Sequence, residues 1–509
     1  MHRANPVPTP HEIELKLEWA AGPITDLLAL PLFQRAEPLP ERSGTLRTTY
    51  YDTPDLALRQ AGLSLRIRER DGRFVQTLKA EDTDQGLALG RPEWEWPLAE
   101  NRLALDGAAA TPLASLLARP GLTERLAPAF TLETERRVFE CAHRDSLIEI
   151  SLDQGRVTAG PKTADFTEIE FELQRGDVSS LFSLARDLAD TVRLSLLTKS
   201  ERGYRLLHAP EVEAAHAAPI LVPPTWSSAD AFRTIARSCL LQVVRNEEIL
   251  RRTRAPEALH QMRVGTRRLK AAISLFEDML DDRESLAAMK DLRWIGKKLG
   301  RVRDVDVHID TLRNAGAELD PEALAKAEKE QVRAYAALLK TLEKPRFRSA
   351  ILRLAAWIEA GRWASRKMAR SARSVPAMDR ARRELGCRWK RIRKASRSLT
   401  KVSDAKRHRL RIRIKGLRYG IEFFSATFPG EKAEKRHRIM RPILQDLQDE
   451  LGELNDLVMA RQLSPASWDE RMAARRRKRH LSRAGTLAKR LGKAKPFWSR
   501  KAAGTGKAP

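Results

Sequence analysis

The chain has 509 residues, more than one hydrophobic core usually serves, which predicts two or more domains. Its three cysteines, Cys141, Cys239 and Cys387, are too few and too scattered for a disulfide framework or a zinc site, and no apolar stretch is long enough to span a membrane. The net charge of +27 is unevenly placed: residues 1–208 carry 26 Lys+Arg against 32 Asp+Glu, whereas residues 209–509 carry 68 against 35.

Met1–Pro10 is polar and proline-rich and has no apolar run behind a basic start, so a cytoplasmic protein is expected. Residues 11–205 then read mainly as strands. Short alternating runs recur: EIELKL, LSLRIRER, RFVQTLKA, PEWEWPL, ERRVFECA, SLIEISLDQGRV and FTEIEFELQ. Asp71-Gly72 and Gln154-Gly155 read as turns between runs, and residues 112–126 and 178–193 read as helical. Many such strands in series predict a closed antiparallel barrel.

Period-two alternation puts Glu12, Glu14 and Lys16 on one face of the first strand, opposite Ile13, Leu15 and Leu17. One such strand is ordinary at a solvated sheet surface. The pattern recurs, however. Arg66 and Arg68 share a face, Lys79 closes its strand, and Glu93 and Glu95 lie opposite Trp94 and Trp96. Arg136 and Arg137 begin a later run; Glu149, Ser151 and Asp153 share a face, as do Glu168, Glu170 and Glu172. A barrel interior lined this way is costly unless a charged ligand fills it.

In chain order, EIELK at 12–16, TYYDTPDLAL at 49–58, LRIR at 65–68, TLK at 77–79, RPEWE at 91–95, ERR at 135–137, LDQGRV at 152–157, EIEFEL at 168–173 and TKSERGY at 198–204 form a set that resembles the CYTH domain. That is the triphosphate tunnel fold of inorganic triphosphatases, thiamine triphosphatases, class IV adenylyl cyclases and related RNA triphosphatases. The resemblance covers about residues 10–206. It implies phosphate contacts from Lys16, Arg66, Arg68, Lys79, Arg136 and Lys199, and Mg²⁺ or Mn²⁺ held by Glu12, Glu14, Glu168 and Glu170. Glu168 or Glu170 would orient the attacking water, and Lys16 would serve the reaction as well as binding. Glu172 and Asp153 are weaker metal candidates, and Tyr51, Asp52 and Tyr204 are assigned to packing and loop geometry.

Residues 207–226, rich in Ala and Pro, read as a linker, and 227–465 as a helical domain. The tail 466–509 is densely basic, with part helix and part disorder expected. The helical region repeats itself. His260, Arg263, Arg267 and Lys270 lie along one helix face, and His408, Arg411, Lys415 and Arg418 match them. Leu299-Gly300 to Arg303-Asp304 corresponds to Leu451-Gly452 to Asn455-Asp456. Two similar helical halves packed face to face are expected. These segments resemble the CHAD domain, which implies polyphosphate binding by the two His-led stripes, with the histidines donating hydrogen bonds to phosphate. Asp304 and Asp456 are candidates to anchor neighbouring arginines.

The fold class expected is therefore α+β, an antiparallel tunnel followed by an all-α domain. The activity expected is metal-dependent hydrolysis of inorganic triphosphate, with polyphosphate bound by the helical domain. The barrel residues read phosphates and leave open thiamine triphosphate, a nucleoside triphosphate, ATP cyclisation, or a non-catalytic polyphosphate binder. The basic half also permits nucleic acid electrostatically, but no nucleic-acid motif and few interleaved aromatics accompany it.

Overall fold

The computed structural model describes residues 7–8, 12–19, 22–80, 89–189, 191–195, 199–207, 213–313, 321–367, 370–463 and 470–499. The expected linker residues 208–212, Thr198 of the TKSERGY motif, the tail segments 466–469 and 500–509 and the side chain of Glu12 lie outside that set. The chain divides into two compact units, Met1–His216 with Leu240–Thr266 and Leu286–Gly361, and Ala217–Cys239 with Arg267–Ser285 and Arg362–Pro509.

The first unit is built on an antiparallel sheet. Its strands are β1 (Val7–Pro8), β2 (Glu12–Trp19), β3 (Glu37–Pro38), β4 (Gly44–Asp52), β5 (Leu63–Arg70), β6 (Arg73–Ala80), β7 (Leu89–Arg91), β8 (Glu93–Leu98), β9 (Ala127–His143), β10 (Ser146–Ala159), β11 (Lys162–Arg175) and β12 (Val192–Leu194). The order runs β1-β8-β6-β5-β4-β9-β10-β11-β2-β12, with β7 on β2 and β3 on β9. Among the described residues the ladders alone do not close into the expected ring. β7 pairs with β2 and β8 pairs with β6, and Pro92, which has no amide hydrogen to donate, stands between them. The continuous chain from β7 through Pro92 to β8 links the two sides and completes the tunnel-like form.

Asp71 and Gly72, with φ of 49° and 71°, make the tight β5–β6 hairpin. Gln154-Gly155, expected as a turn, instead runs inside β10, where Gly155 lies opposite Thr134 on one side and Phe166 on the other. A Cβ there would come within 2.1 Å of the Glu133 carbonyl oxygen, so this glycine serves close backbone approach.

Short helices cover the outer face of the sheet: α1 (Ile24–Leu28), α2 (Pro31–Arg35), α3 (Ala57–Gln60), α4 (Ala114–Leu117), α5 (Leu122–Arg125) and α6 (Ser179–Asp187). The apolar sides of β5, β6 and β8, Leu63, Leu65, Leu78 and Trp96, pack with Leu58, Leu113, Leu116 and Leu122. With the apolar faces spent outward, the charged faces point inward. Helix α7 (Lys199–Leu207) joins Tyr204 to Tyr50, Phe130, Leu132, Val157 and Phe166, an apolar cluster among the inward side chains. Gly203 lies so close to the Phe130 ring that a Cβ would meet it at 2.1 Å.

The remaining helices are α8 (Ser228–Thr253), α9 (Pro256–Leu275), α10 (Arg283–Arg313), α11 (Pro321–Leu342), α12 (Pro345–Ala360), α13 (Arg370–Ser374), α14 (Ala377–Ser396), α15 (Asp404–Phe423), α16 (Glu431–Leu463) and α17 (Glu470–Lys493). Proline opens α9, α11 and α12, where its missing N–H costs nothing. Leu269, Ile273 and Phe276 and their repeats Leu417, Ile421 and Phe424 are buried, as their spacing predicts. In the second unit Phe232 packs against Phe276 and Trp363. The buried Arg380 beside them donates to Asp278, Ser228 Oγ and the Ala372 carbonyl. The basic tail supplies α17, which buries His480, Ala484, Leu487 and Leu491.

Candidate active site

The inward faces of β2, β5, β6, β8, β9, β10 and β11, with the first turn of α7, bring most of the expected residues together. Glu168 and Asp153 have no accessible surface, and Lys16, Arg66 and Glu93 are buried. On β2 and β11, strand pairing sets Lys16 opposite Glu170 and Glu14 opposite Glu172. The Lys16 ammonium pairs with Glu170 and stands 3.1 Å from Glu14 and 3.9 Å from Glu168. Arg136 forks onto Asp153 at 2.8 and 2.7 Å and reaches Glu170 at 3.1 Å. Lys199 pairs with Asp153 and lies 3.2 Å from Glu170 and 3.7 Å from Glu168. Across the sheet, Lys79 and Arg66 hold Glu93 at 2.6 and 3.4 Å.

Arg68 differs from these. It has no ion pair or hydrogen bond among the described residues. Repulsion from Arg66, then burial, then Arg136 bring its guanidinium down to about 10. An inward cation repelled by its neighbours is a site for an incoming anion.

The carboxylates split in the same way. Burial opposes the charge of Glu170, Asp153 and Glu93, but the adjacent lysines and arginines outweigh it and hold all three below the usual range. Burial wins at Glu168 and pushes its carboxyl up to about 7. Glu168 Oε1 is buried and accepts no hydrogen bond. Lys16 is held well above the usual lysine range: burial opposes this, but Glu14, Glu170 and Glu168 prevail.

As the side chains lie, no three Asp, Glu, His or Cys among the described residues are grouped to hold a metal ion. Lys16 and Lys199 stand among the carboxylates instead. The donor chemistry nevertheless fits a hard divalent cation: Glu14, Glu168 and Glu170 offer only oxygen, and Glu168 Oε1 is an unsatisfied buried ligand atom.

Glu93, which the alternation places on a charged face with Glu95, sits between two cations. Two contributors escaped the sequence reading. Arg202, one turn along α7 from Lys199, lies 3.5 Å from Glu168 and over the Phe166 ring. Arg42 pairs with Glu149. The helical spacing of Lys199 and Arg202 was the available signal for Arg202. Asp52 accepts the amides of Thr53, Leu58 and Arg59 and the Tyr204 hydroxyl, which ties α3 to α7.

In the helical region the His260, Arg263, Arg267 and Lys270 stripe is half-buried along α9. On α15, exposed His408 meets Asn455 at 2.7 Å and Arg418 donates to Gln448 at 2.9 Å, with Arg411 and Lys415 half-buried between them. Each repeated glycine lies beside an arginine of its stripe: a Cβ at Gly300 would lie a tight 3.1 Å from Arg263 Nη1, and one at Gly452 an ordinary contact distance of 3.6 Å from Arg411 Nε. Asp304 does not anchor Arg303, because neighbours on a helix do not face each other. Asp306 and Asp310 do so instead, at 3.7 and 4.0 Å, and Gln331 and Tyr335 hold Asp306.

These two assemblies correspond to known families. The CYTH domain model matches residues 10–204 and the CHAD domain model residues 234–464. The chain carries a CYTH domain followed by a CHAD domain. An inorganic triphosphatase of Haemophilus influenzae is 32% identical over 197 residues, 38% of this chain and 54% of that protein. The chain thus spans about half the length of this curated relative. Among solved structures, the CHAD domain of Ricinus communis is 28% identical, covering 55% of this chain and 96% of that one, with a TM-score of 0.44. A Hippeastrum protein described as having a dominant triphosphatase activity is 18% identical, covering 39% and 99%, with a TM-score of 0.28.

Proposed function

We propose that the CYTH domain hydrolyses inorganic triphosphate to diphosphate and phosphate, and that the CHAD domain binds polyphosphate. The observation that carries the first part is the convergence of Lys16, Arg66, Arg68, Lys79, Arg136 and Lys199 on the inward face of one sheet. A triphosphate bears about four negative charges, and its recognition calls for several such groups. Arg68 and Arg66 hold one end of the chain and Lys16, Arg136 and Lys199 the other. Mg²⁺ or Mn²⁺ bound by Glu12, Glu14, Glu168 and Glu170 would supply charge neutralisation at the phosphoryl oxygens. Glu168, whose buried Oε1 accepts no hydrogen bond, orients the attacking water. Glu170, held ionised by Lys16, Lys199 and Arg136, keeps those cations in register.

The likeness of residues in the barrel to an inorganic triphosphatase of Haemophilus influenzae, at 32% identity over 197 residues, favours a compact inorganic substrate. Support for the second part comes from the two stripes and from a further basic face. Lys390, Arg391, Arg393 and Lys394 on α14, Arg397 just after it, and Arg475, Lys478, Arg479, Lys489 and Arg490 on α17 are exposed, with no ion pair among the described residues. A phosphate-release assay with tripolyphosphate, ATP and thiamine triphosphate, each with Mg²⁺ or Mn²⁺, tests the assignment. Turnover is expected to be fastest on tripolyphosphate and to be lost in Lys16→Ala. Faster release from ATP or thiamine triphosphate overturns the substrate assignment.

A further inference from the structure

Helix α8 opens the helical region in sequence, yet its residues 240–253 belong to the compact unit that holds the sheet. Two of its side chains grip the active-site elements. Glu248 pairs with Arg205 of α7, and Arg251 lies 3.7 Å from Glu18 of β2. Arg205 is two turns from Lys199 and one turn from Arg202, the residue 3.5 Å from Glu168. Glu18 is two residues from Lys16 and lies opposite Glu168 across the β2–β11 pairing. Arg205 and Glu248 side chains are 24% and 19% exposed, so water screens this pair incompletely. Other ion pairs also hold these elements: Glu18 meets Arg193 at 3.8 Å, Glu201 of α7 meets Arg59 at 3.1 Å and Arg205 at 3.2 Å, and Lys199 reaches Glu170 at 3.2 Å.

We propose that Glu248 and Arg251 of α8 are positioning residues for the barrel reaction: they set where α7 carries Lys199 and Arg202, and where β2 carries Lys16. This rests on the reading of the barrel as a triphosphate hydrolase. The helical region thereby completes the active site without touching the substrate. Lys199 answers to displacements of α7 because Gly203 is already in contact with Phe130, which leaves the helix no slack toward the sheet. Loss of the Glu248 pair lets it move only outward.

The test uses the full chain with tripolyphosphate and Mg²⁺ or Mn²⁺. Glu248→Arg is expected to lower kcat/KM about ten- to hundredfold per folded molecule, the scale of a misplaced catalytic group. The charge-swapped double variant Arg205→Glu/Glu248→Arg is expected to recover most of the loss. Arg252→Gln, an exposed neighbour with no ion pair among the described residues, is the control and is expected to match the parent. Hydrogen exchange over Lys199–Leu207 reads the same claim without turnover and is expected to speed up in Glu248→Arg alone. Unchanged kinetics and unchanged exchange in Glu248→Arg overturn the proposal, as does a loss that only follows the folded fraction. If the parent chain releases no phosphate, the hydrolase reading fails, and the exchange result still decides whether α8 holds α7.

Discussion

Arg136 donates from Nε and Nη2 to the two oxygens of Asp153, a carboxylate with no accessible surface that also receives Lys199. Removing a single partner from such a buried set leaves the others short of counter-charge: without Asp153, Arg136 and Lys199 both rely on Glu170, at 3.1 and 3.2 Å. Asp153→Ala is expected to destabilise the protein by about 3–5 kcal/mol, read from urea unfolding. Tripolyphosphate added without metal is expected to raise the melting temperature of this variant more than that of the parent, because it supplies the missing negative charge.

Arg68 predicts the opposite balance. Repulsion by Arg66 and Arg136 outweighs the pull of Glu95, and Arg68 forms no ion pair among the described residues. Arg68→Ala is expected to leave stability unchanged or slightly raised. Its KM for tripolyphosphate is expected to rise on the order of tenfold or more, the equivalent of one hydrogen bond to a charged group at ~1.5–3 kcal/mol. Steady-state kinetics beside thermal unfolding separate the two effects.

Glu247 on α8 gives a pH dependence away from the active-site carboxylates. Burial pushes its carboxyl up, against the pull of Arg251 and Arg193. The folded state therefore keeps a proton that the unfolded chain releases near 4.5, and stability falls as pH rises from that value to the raised one. Below both values the group costs nothing, and above both its penalty is complete. Glu247→Gln cannot ionise, so its stability relative to the parent is expected to improve between pH 4 and pH 8. Urea midpoints at the two pH values check the sign.

The basic face of α14 and α17 is expected to contribute to polyphosphate affinity through released counterions. Replacing Arg475, Lys478 and Arg479 with Gln should make the plot of log affinity against log salt shallower by about 2 units. Phosphate release from tripolyphosphate by the barrel should be unchanged. A salt titration of polyphosphate binding with parent and variant measures both.

Strand periodicity made much of this site legible. Once Leu15, Leu17, Ile169 and Phe171 were read as the packed side, Lys16, Glu168 and Glu170 had to point the other way. The repeat likewise marked α9 and α15, since their apolar positions recur along with the stripes. What stayed hidden depends on distance in the chain. β4 lacks a clear polar–apolar alternation, although its Thr and Tyr residues favour strands. Gly155 read as a turn because a glycine that admits a neighbouring carbonyl and one that turns the chain look alike in one dimension. The partition of α8 between two units, and its hold on Arg205 and Glu18, arise from tertiary packing that no local pattern records.

The inward face of this sheet is neither an empty basin of positive charge nor an apolar core. Of the six cations assigned to phosphate, Lys16, Arg66, Lys79, Arg136 and Lys199 already have a carboxylate counterion on the protein. On the proposed reading, a triphosphate that enters would trade places with those carboxylates, so its binding would be an ion-exchange reaction. Affinity would then be the small difference between two well-satisfied networks, which favours ready release of charged products. The displaced carboxylates would become available to a divalent ion in the same exchange, and metal and triphosphate would act as reciprocal counterions, each opening the places that the other requires.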